Sequence, residues 1–217
     1  MDLVIIGAGG HGKVVLDIIQ AAGKHRVVGF LDADPALAGS EIDGVPVLGQ
    51  MNQVVRLRQQ KIRGAIVAIG DNRVRVSYAA LLSEHGVELI TAIHPAAVVA
   101  KSARIGHNVV VAAGAVLAAS ASVADSVILN TGCIVDHECE LEAGVHICPG
   151  ALLAGRVRVG AGAFVGLGAK VLPCISVGKG AIVGAGAVVL KDVPDGVTVV
   201  GVPARMLEKA AGHAADT

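Results

Sequence analysis

The chain is poor in aromatic residues, with two Phe, one Tyr and no Trp among 217 residues. Phe30, Tyr78 and Phe164 are too few to stack the successive bases of a single strand, so nucleic acid is not an expected partner. A charge surplus is lacking too. Lys plus Arg and Asp plus Glu number 18 each, split nine and nine on either side of residue 93. That balance excludes bulk attraction for a polyanion. Mean hydropathy is high, at +0.68, yet no run approaches the roughly 18 uninterrupted apolar residues of a membrane helix. The opening Met1-Asp2-Leu3-Val4 reads as a strand rather than a charged leader. Cys133, Cys139, Cys148 and Cys174 show no CxxC spacing. They read as reduced, mostly buried small residues of a cytoplasmic protein, not as a metal site or disulfides.

The dominant pattern is a period of six. Seventeen successive positions carry Ile, Leu or Val, from Ile93, Val99 and Ile105 to Val177, Val183 and Val189. A six-residue period fits neither the helical 3.6 nor a plain alternating strand. It fits a solenoid of short parallel strands with three hexads per turn, each aliphatic stacking on the one a full turn away. Four residues after each aliphatic stands a second small or apolar residue, such as Ala115, Cys133, Cys139, Ala151 or Ala187, suited to a narrow interior. Three residues after it, Gly is frequent (Gly114, Gly132, Gly144, Gly150), which suits corners that need φ > 0. No insertion breaks the run, which makes about five coils, roughly 25 Å tall.

Ahead of the solenoid, strands and helices alternate, which predicts a parallel sheet covered by helices. The expected strands are Leu3 to Ile6, Val27 to Leu31, Ala65 to Ile69 and Val87 to Thr91. The expected helices are Lys13 to Ala22, Gln50 to Gln60 and Asn72 to His85. Gly7, Gly9 and Gly12 spell G-x-G-x-x-G between the first strand and helix, and Asp32 stands at the end of the second strand, where the fingerprint places its acidic residue. Such a turn brings backbone N–H groups and a helix N-terminus against a phosphate. A carboxylate at the next strand end can accept a bond from a ribose or sugar hydroxyl. Dinucleotides normally need two such halves and only one is present. A single phosphate-bearing ligand such as a sugar nucleotide fits better.

Reactive side chains concentrate in one place. From Asp136 to His146, two His and four carboxylates fall within eleven residues of an otherwise bland repeat. His137 lies two places after an inward aliphatic and should face outward near a corner. Glu138 beside it can fix the imidazole tautomer and raise its basicity, the pairing a general base needs. His146 reads as an edge histidine, with a surface position as plausible as a role. Cys139 falls at an inward place beside Cys133, which argues against an acyl-enzyme nucleophile.

Taken together, Gly7-Ala-Gly-Gly-His-Gly12, Phe30-Leu-Asp32, Val67-Ala-Ile-Gly-Asp-Asn72, His94-Pro95, Leu129-Asn-Thr131, Asp136-His-Glu-Cys139 and Val200-Gly-Val-Pro-Ala-Arg205 form an ordered set. On these motifs the chain resembles the bacterial hexapeptide-repeat sugar acetyltransferases of the sialic-acid O-acetyltransferase type (NeuD/PglD-like), over about residues 2–207. That family includes amino-sugar-nucleotide N-acetyltransferases. The resemblance implies an α/β Rossmann-like half domain with a parallel sheet (1–92), a left-handed parallel β-helix (93–207) and a tail (208–217). It implies a homotrimer with active sites between subunits, acetyl-CoA as co-substrate and no metal.

It further implies His137 as catalytic base with Glu138 orienting it, and Asn130 at the acceptor sugar. His146 and the Gly155 backbone would lie near the thioester, Leu167 and Ala185 along the CoA arm, and Pro203 by the adenine. Many family members carry Gly at the position of Ala185. Gly9, Gly10, His11, Asp32, Asp71 and Asn72 would hold a UDP- or GDP-linked amino sugar. The expected reaction is direct transfer of acetyl to the sugar amine. Sugar O-acetylation on the same fold is the alternative. An NAD-dependent oxidoreductase would leave the solenoid and His137-Glu138 unused, and a catalytically silent scaffold would leave His137 without a task.

Overall fold

The computed structural model describes residues 1–53 and 62–207. Two units follow one another and share apolar packing. The first is a sheet of six strands: β1 (Asp2–Ile6), β2 (Arg26–Leu31), β3 (Glu41–Ile42), β4 (Val45–Gly49), β5 (Gly64–Val67) and β6 (Glu88–Leu89). Their spatial order is β3-β4-β2-β1-β5-β6, all parallel except the β3/β4 pair. The chain runs outward from β1 in one direction through β2 and β4, then returns to place β5 on the other side. The reversal lies between β1 and β5, the point where open α/β sheets bind ligands at their carboxyl ends.

Helix α1 (Gly10–Ala22) begins three residues before the expected Lys13, so Gly10, His11 and Gly12 form its first turn. Gly12 is held by sterics, since a Cβ there would overlap the Gly7 carbonyl oxygen. Helix α2 (Asn72–Glu84) starts where Asp71 caps it, the Oδ1 atom accepting from the N–H of Arg73 and of Val74 at 2.9 and 3.0 Å. The β3/β4 hairpin was not expected. Its signal is the pair Asp43-Gly44, whose φ values of 47° and 77° suit a tight hairpin turn. Only Met51–Gln53, a 3₁₀ turn, is described of the helix expected from Gln50 to Gln60; its remainder lies outside the described residues, as does the expected tail 208–217.

The second unit is a left-handed parallel β-helix. Two-residue strands repeat every six residues and pair with the strand three hexads on, as Val116 and Leu117 do with Ile134 and Val135. Three sheets form the faces of a triangular prism. Aliphatics such as Leu117, Val135 and Leu153 and the small residues Ala115, Cys133 and Ala151 fill the interior at 0% exposure. The glycines expected at corners, Gly114, Gly132, Gly144 and Gly150, all have positive φ. The same corner position also takes Asn108, Ser120, Ser126, Glu138, Arg156 and Cys174, all with φ between 55° and 62°. The final coil is two residues short, pairing Ile182 with Thr198. It ends in an antiparallel hairpin of Thr198–Val200 with Arg205–Met206, turned through a cis Val202-Pro203 bond.

The outward residues make the three faces chemically distinct. One face carries Ala92, Val110 and Ile128, whose side chains join the core of the first unit with Leu3, Ile5 and Phe30. The second presents Val98, Val116, Ile134, Leu152, Lys170 and Val188. Val98 is 62% exposed and Ile134 37%. The third is polar, with Arg104, Ser122, Glu140, Arg158 and Ser176. We call them the docking, apolar and charged faces. Among the described residues no helix is long and apolar enough to cross a membrane.

Candidate active site

His137 follows the apolar-face strand Ile134–Val135 and precedes the charged-face strand Glu140–Leu141. It therefore stands on the prism edge opposite the docking face. Its side chain is 51% exposed, and its Nδ1 lies 3.1 Å from Glu138 Oε2. The Asp136 Oδ1 atom accepts from the His137 backbone N–H at 2.7 Å and holds the turn. Arg156 Nε donates to the same Glu138 oxygen at 3.0 Å. That guanidinium first, and His137 second, hold the Glu138 carboxyl below its ordinary range, so it is a carboxylate at neutral pH. One coil on, Gly155 lies beneath the imidazole. A Cβ there would overlap His137 Nε2, so the ring and a side chain cannot share the space.

The glycine turn forms a separate pocket of about 390 Å³ at the carboxyl ends of β1, β2 and β5. Gly7, Gly9, Gly10, His11, Asp32 and Tyr78 line it. Asp32 shapes the turn as well as facing the space. Its Oδ2 accepts from Ala8 N–H at 2.7 Å and its Oδ1 from Asp34 N–H at 2.9 Å. Each carboxylate oxygen keeps a second lone pair for a ligand hydroxyl. Asp71 and Asn72 belong to an adjacent groove with Arg73, Gly162, Phe164 and Ile182. The Asn72 amide is engaged within the chain, donating to Gly162 O at 2.9 Å and accepting from Arg75 Nη2 at 2.8 Å.

Between the pocket and the prism sits a buried polar layer that the sequence reading missed. Arg75 is 0% exposed. Its guanidinium donates to carbonyls of both units: Ile69 at 2.9 Å, Ser126 at 2.8 Å and Gly144 at 2.9 Å. Asn108 Oδ1 accepts from Val67 N–H at 2.7 Å across the same junction. The signal for Arg75 was its phase, because it stands on the buried stripe of α2 with Ala79 and Leu82. His146 belongs to this layer. It is 8% exposed, contrary to the expected edge position, because its strand lies on the docking face. Its Nε2 lies 3.3 Å from Asn130 Nδ2, and its ring sits 6.4 Å from that of His11 and 5.2 Å from that of Phe164. Burial, reinforced by Arg75, pushes both His11 and His146 down to about 4. Both rings are neutral at pH 7.

Residues 2–82 match the model of the PglD N-terminal domain family. The structure of PerB from Caulobacter crescentus in complex with CoA and GDP-perosamine is similar, with 45% identity and a TM-score of 0.92 over 96% of this chain and 98% of that one. The acetyltransferase domain of PglB from Neisseria gonorrhoeae is 41% identical, with a TM-score of 0.89 over 95% and 99% of the two chains. The chain belongs to the PglD-like family of hexapeptide-repeat sugar acetyltransferases. A curated relative, UDP-N-acetylbacillosamine N-acetyltransferase of Bacillus subtilis, is 39% identical over 115 residues. That match spans 52% of this chain and 51% of the relative, about half of its length.

Within one copy of this PglD-like acetyltransferase, the residues singled out from the sequence do not converge. His137 and Gly155 occupy the edge between the apolar and charged faces. Leu167, 59% exposed, and Ala185, also exposed, occupy the edge between docking and apolar faces. Asn130 begins that second edge, and His146 is buried beside it against the glycine pocket. Pro203 sits in the terminal hairpin. Cys139 is buried, its Sγ donating to Ala154 O at 3.2 Å, and burial pushes its thiol up. It is no thiolate nucleophile.

Proposed function

We propose that the chain transfers acetyl from acetyl-CoA to the amine of a nucleotide-linked amino sugar, with His137 as general base. The observation that carries this is the triplet Glu138, His137 and Gly155. An ionised carboxylate at Nδ1 favours the tautomer that leaves the Nε2 lone pair free, and the missing side chain of Gly155 makes room for the ring itself. Nε2 would take a proton from the sugar amine as its nitrogen attacks the thioester carbonyl. The tetrahedral oxyanion would then collapse with cleavage of the C–S bond, and the imidazolium would return a proton to the departing thiolate. A backbone N–H at Gly155 is the donor we assign to the oxyanion. The CoA complex of the neighbouring PerB structure supports the co-substrate. Its GDP-perosamine, together with the glycine pocket and the bacillosamine-acetylating relative, supports the acceptor.

We further propose a homotrimer in which residues 1–92 of one copy serve His137 of the next. An exposed apolar face on a solenoid asks for a cover, and a second copy is the occupant we assign. Packing that face around a threefold axis makes a head-to-tail ring. Its two bounding edges then meet: Asn130, Leu167 and Ala185 of one copy against His137 and Gly155 of its neighbour. The glycine pocket and the base, on opposite sides of one prism, would thereby face one substrate. The four free thiols, three of them buried, support a reducing cytoplasmic setting.

The test is thiol release from acetyl-CoA with UDP- and GDP-linked 4-amino dideoxy sugars and with free sialic acid. Release with one nucleotide amino sugar, lost in His137→Ala, is the expected result and names the nucleotide. Release with sialic acid alone would overturn the N-acetylating assignment in favour of O-acetylation.

A further inference from the structure

The corner residues of the prism point to a member of the active site beyond His137 and Glu138. From Asn108 to Gly186 the left-handed corner recurs every six residues. Most of these corners hold Gly, Asn or Ser, which tolerate positive φ through a missing or short side chain. Three do not: Glu138, Arg156 and Cys174, with φ of 57°, 62° and 62°. They stand at the same corner of three successive coils, and it is the edge of His137. Backbone strain of this kind is retained where the side chain has a task.

Resting on the reading of His137 as base, we propose that Arg156 is a positioning residue that clamps Glu138 and so holds the His137 ring in its Nδ1-protonated tautomer. Arg156 reaches His137 by two routes. Its backbone N–H donates to the His137 carbonyl at 2.9 Å. Its Nε donates at 3.0 Å to Glu138 Oε2, the oxygen that lies 3.1 Å from His137 Nδ1. Glu138 is 49% exposed and has several free torsions, so a single contact to an imidazole would leave the carboxylate mobile. A second donor on the same oxygen restrains it further. The neighbouring cation does not compete for this role, because Arg158 Nε lies 3.6 Å from Glu140 instead. Asp136 instead accepts from the His137 backbone N–H through Oδ1. Arg156 touches no reacting atom in this arrangement and acts only through Glu138.

Arg156→Gly tests this without straining the fold, because glycine suits a φ of 62°. The full chain is labelled with ¹⁵N-histidine, and the His137 ring signals are assigned by their loss in His137→Ala. In Arg156→Gly the Nδ1-protonated tautomer should lose population, and kcat should fall roughly tenfold with both KM values within about twofold. Arg156→Lys, which keeps a donor and a charge, should recover part of both losses. Wild-type ring signals and kcat in Arg156→Gly would overturn the inference. So would a raised KM at unchanged kcat, which would make Arg156 a substrate contact. If His137→Ala itself turns over normally, the base reading falls and this inference with it; a dead His137→Ala beside a fully active Arg156→Gly removes the inference alone.

Discussion

His137 and His146 stand half a coil apart on the same prism, and their surroundings are opposite. His137 is on an open edge with an ionised carboxylate at its Nδ1. His146 is walled between His11, Phe164 and Arg75, and its ring is pushed down to about 4. One repeat therefore offers an exposed histidine paired with a carboxylate and a buried one held neutral. The lesson is that the face on which a hexad falls, not the residue type, sets what its histidine can do. The docking face desolvates; the far edge leaves the ring reachable and lets a corner carboxylate reach it.

The largest effect expected from breaking this contrast is in His137→Ala. Its kcat should fall about 10²–10⁴-fold, the usual contribution of a positioned base, in steady-state acetyl transfer. Arg75→Met attacks the other side. It strips donors from buried carbonyls of both units, and chemical denaturation should show about 3 kcal/mol of lost stability. An acid titration of stability reads the two buried histidines. His11 and His146 bind protons near 6.5 when unfolded and near 4 when folded. The unfolded state thus takes up protons first, and stability present above pH 6.5 is lost as pH falls toward 4. About 3 kcal/mol per ring is at stake. Thermal unfolding at pH 7 and pH 4.5 should show a smaller drop for His146→Phe than for wild type. The smallest effect is that of Gly155→Ala. Its φ is not in the left-handed region, so the fold should hold while the displaced His137 ring slows kcat roughly tenfold.

Much of this was legible in the sequence because the solenoid repeats its constraints. Every interior aliphatic meets the same kind of neighbour three hexads on, so the register of Val135 or Leu153 follows from counting, and the outward place of His137 follows from Val135. What counting could not supply was which unit lies over which face. His146 looked like an edge residue because nothing in a hexad says that its strand will be covered by the first unit. Arg75 was overlooked for the same reason, its carbonyl partners lying in a different unit at Ser126 and Gly144. The corner strain at Glu138 and Arg156 is hidden in the sequence because neither residue type signals a positive φ.

The central claim is that the base and the sugar-nucleotide pocket come from different copies, and mixing two dead variants tests it most directly. His137→Ala keeps the pocket. Gly9→Phe keeps His137 but fills the pocket, and a Cβ at Gly9 meets no backbone or neighbour within 4 Å. Each variant alone should be inactive. Co-assembled at equal amounts, about one interface in four pairs an intact pocket with an intact His137 in a head-to-tail ring. About a quarter of the wild-type rate should therefore return. No recovery in verified mixed trimers would mean that pocket and base act within one chain, and would contradict the account.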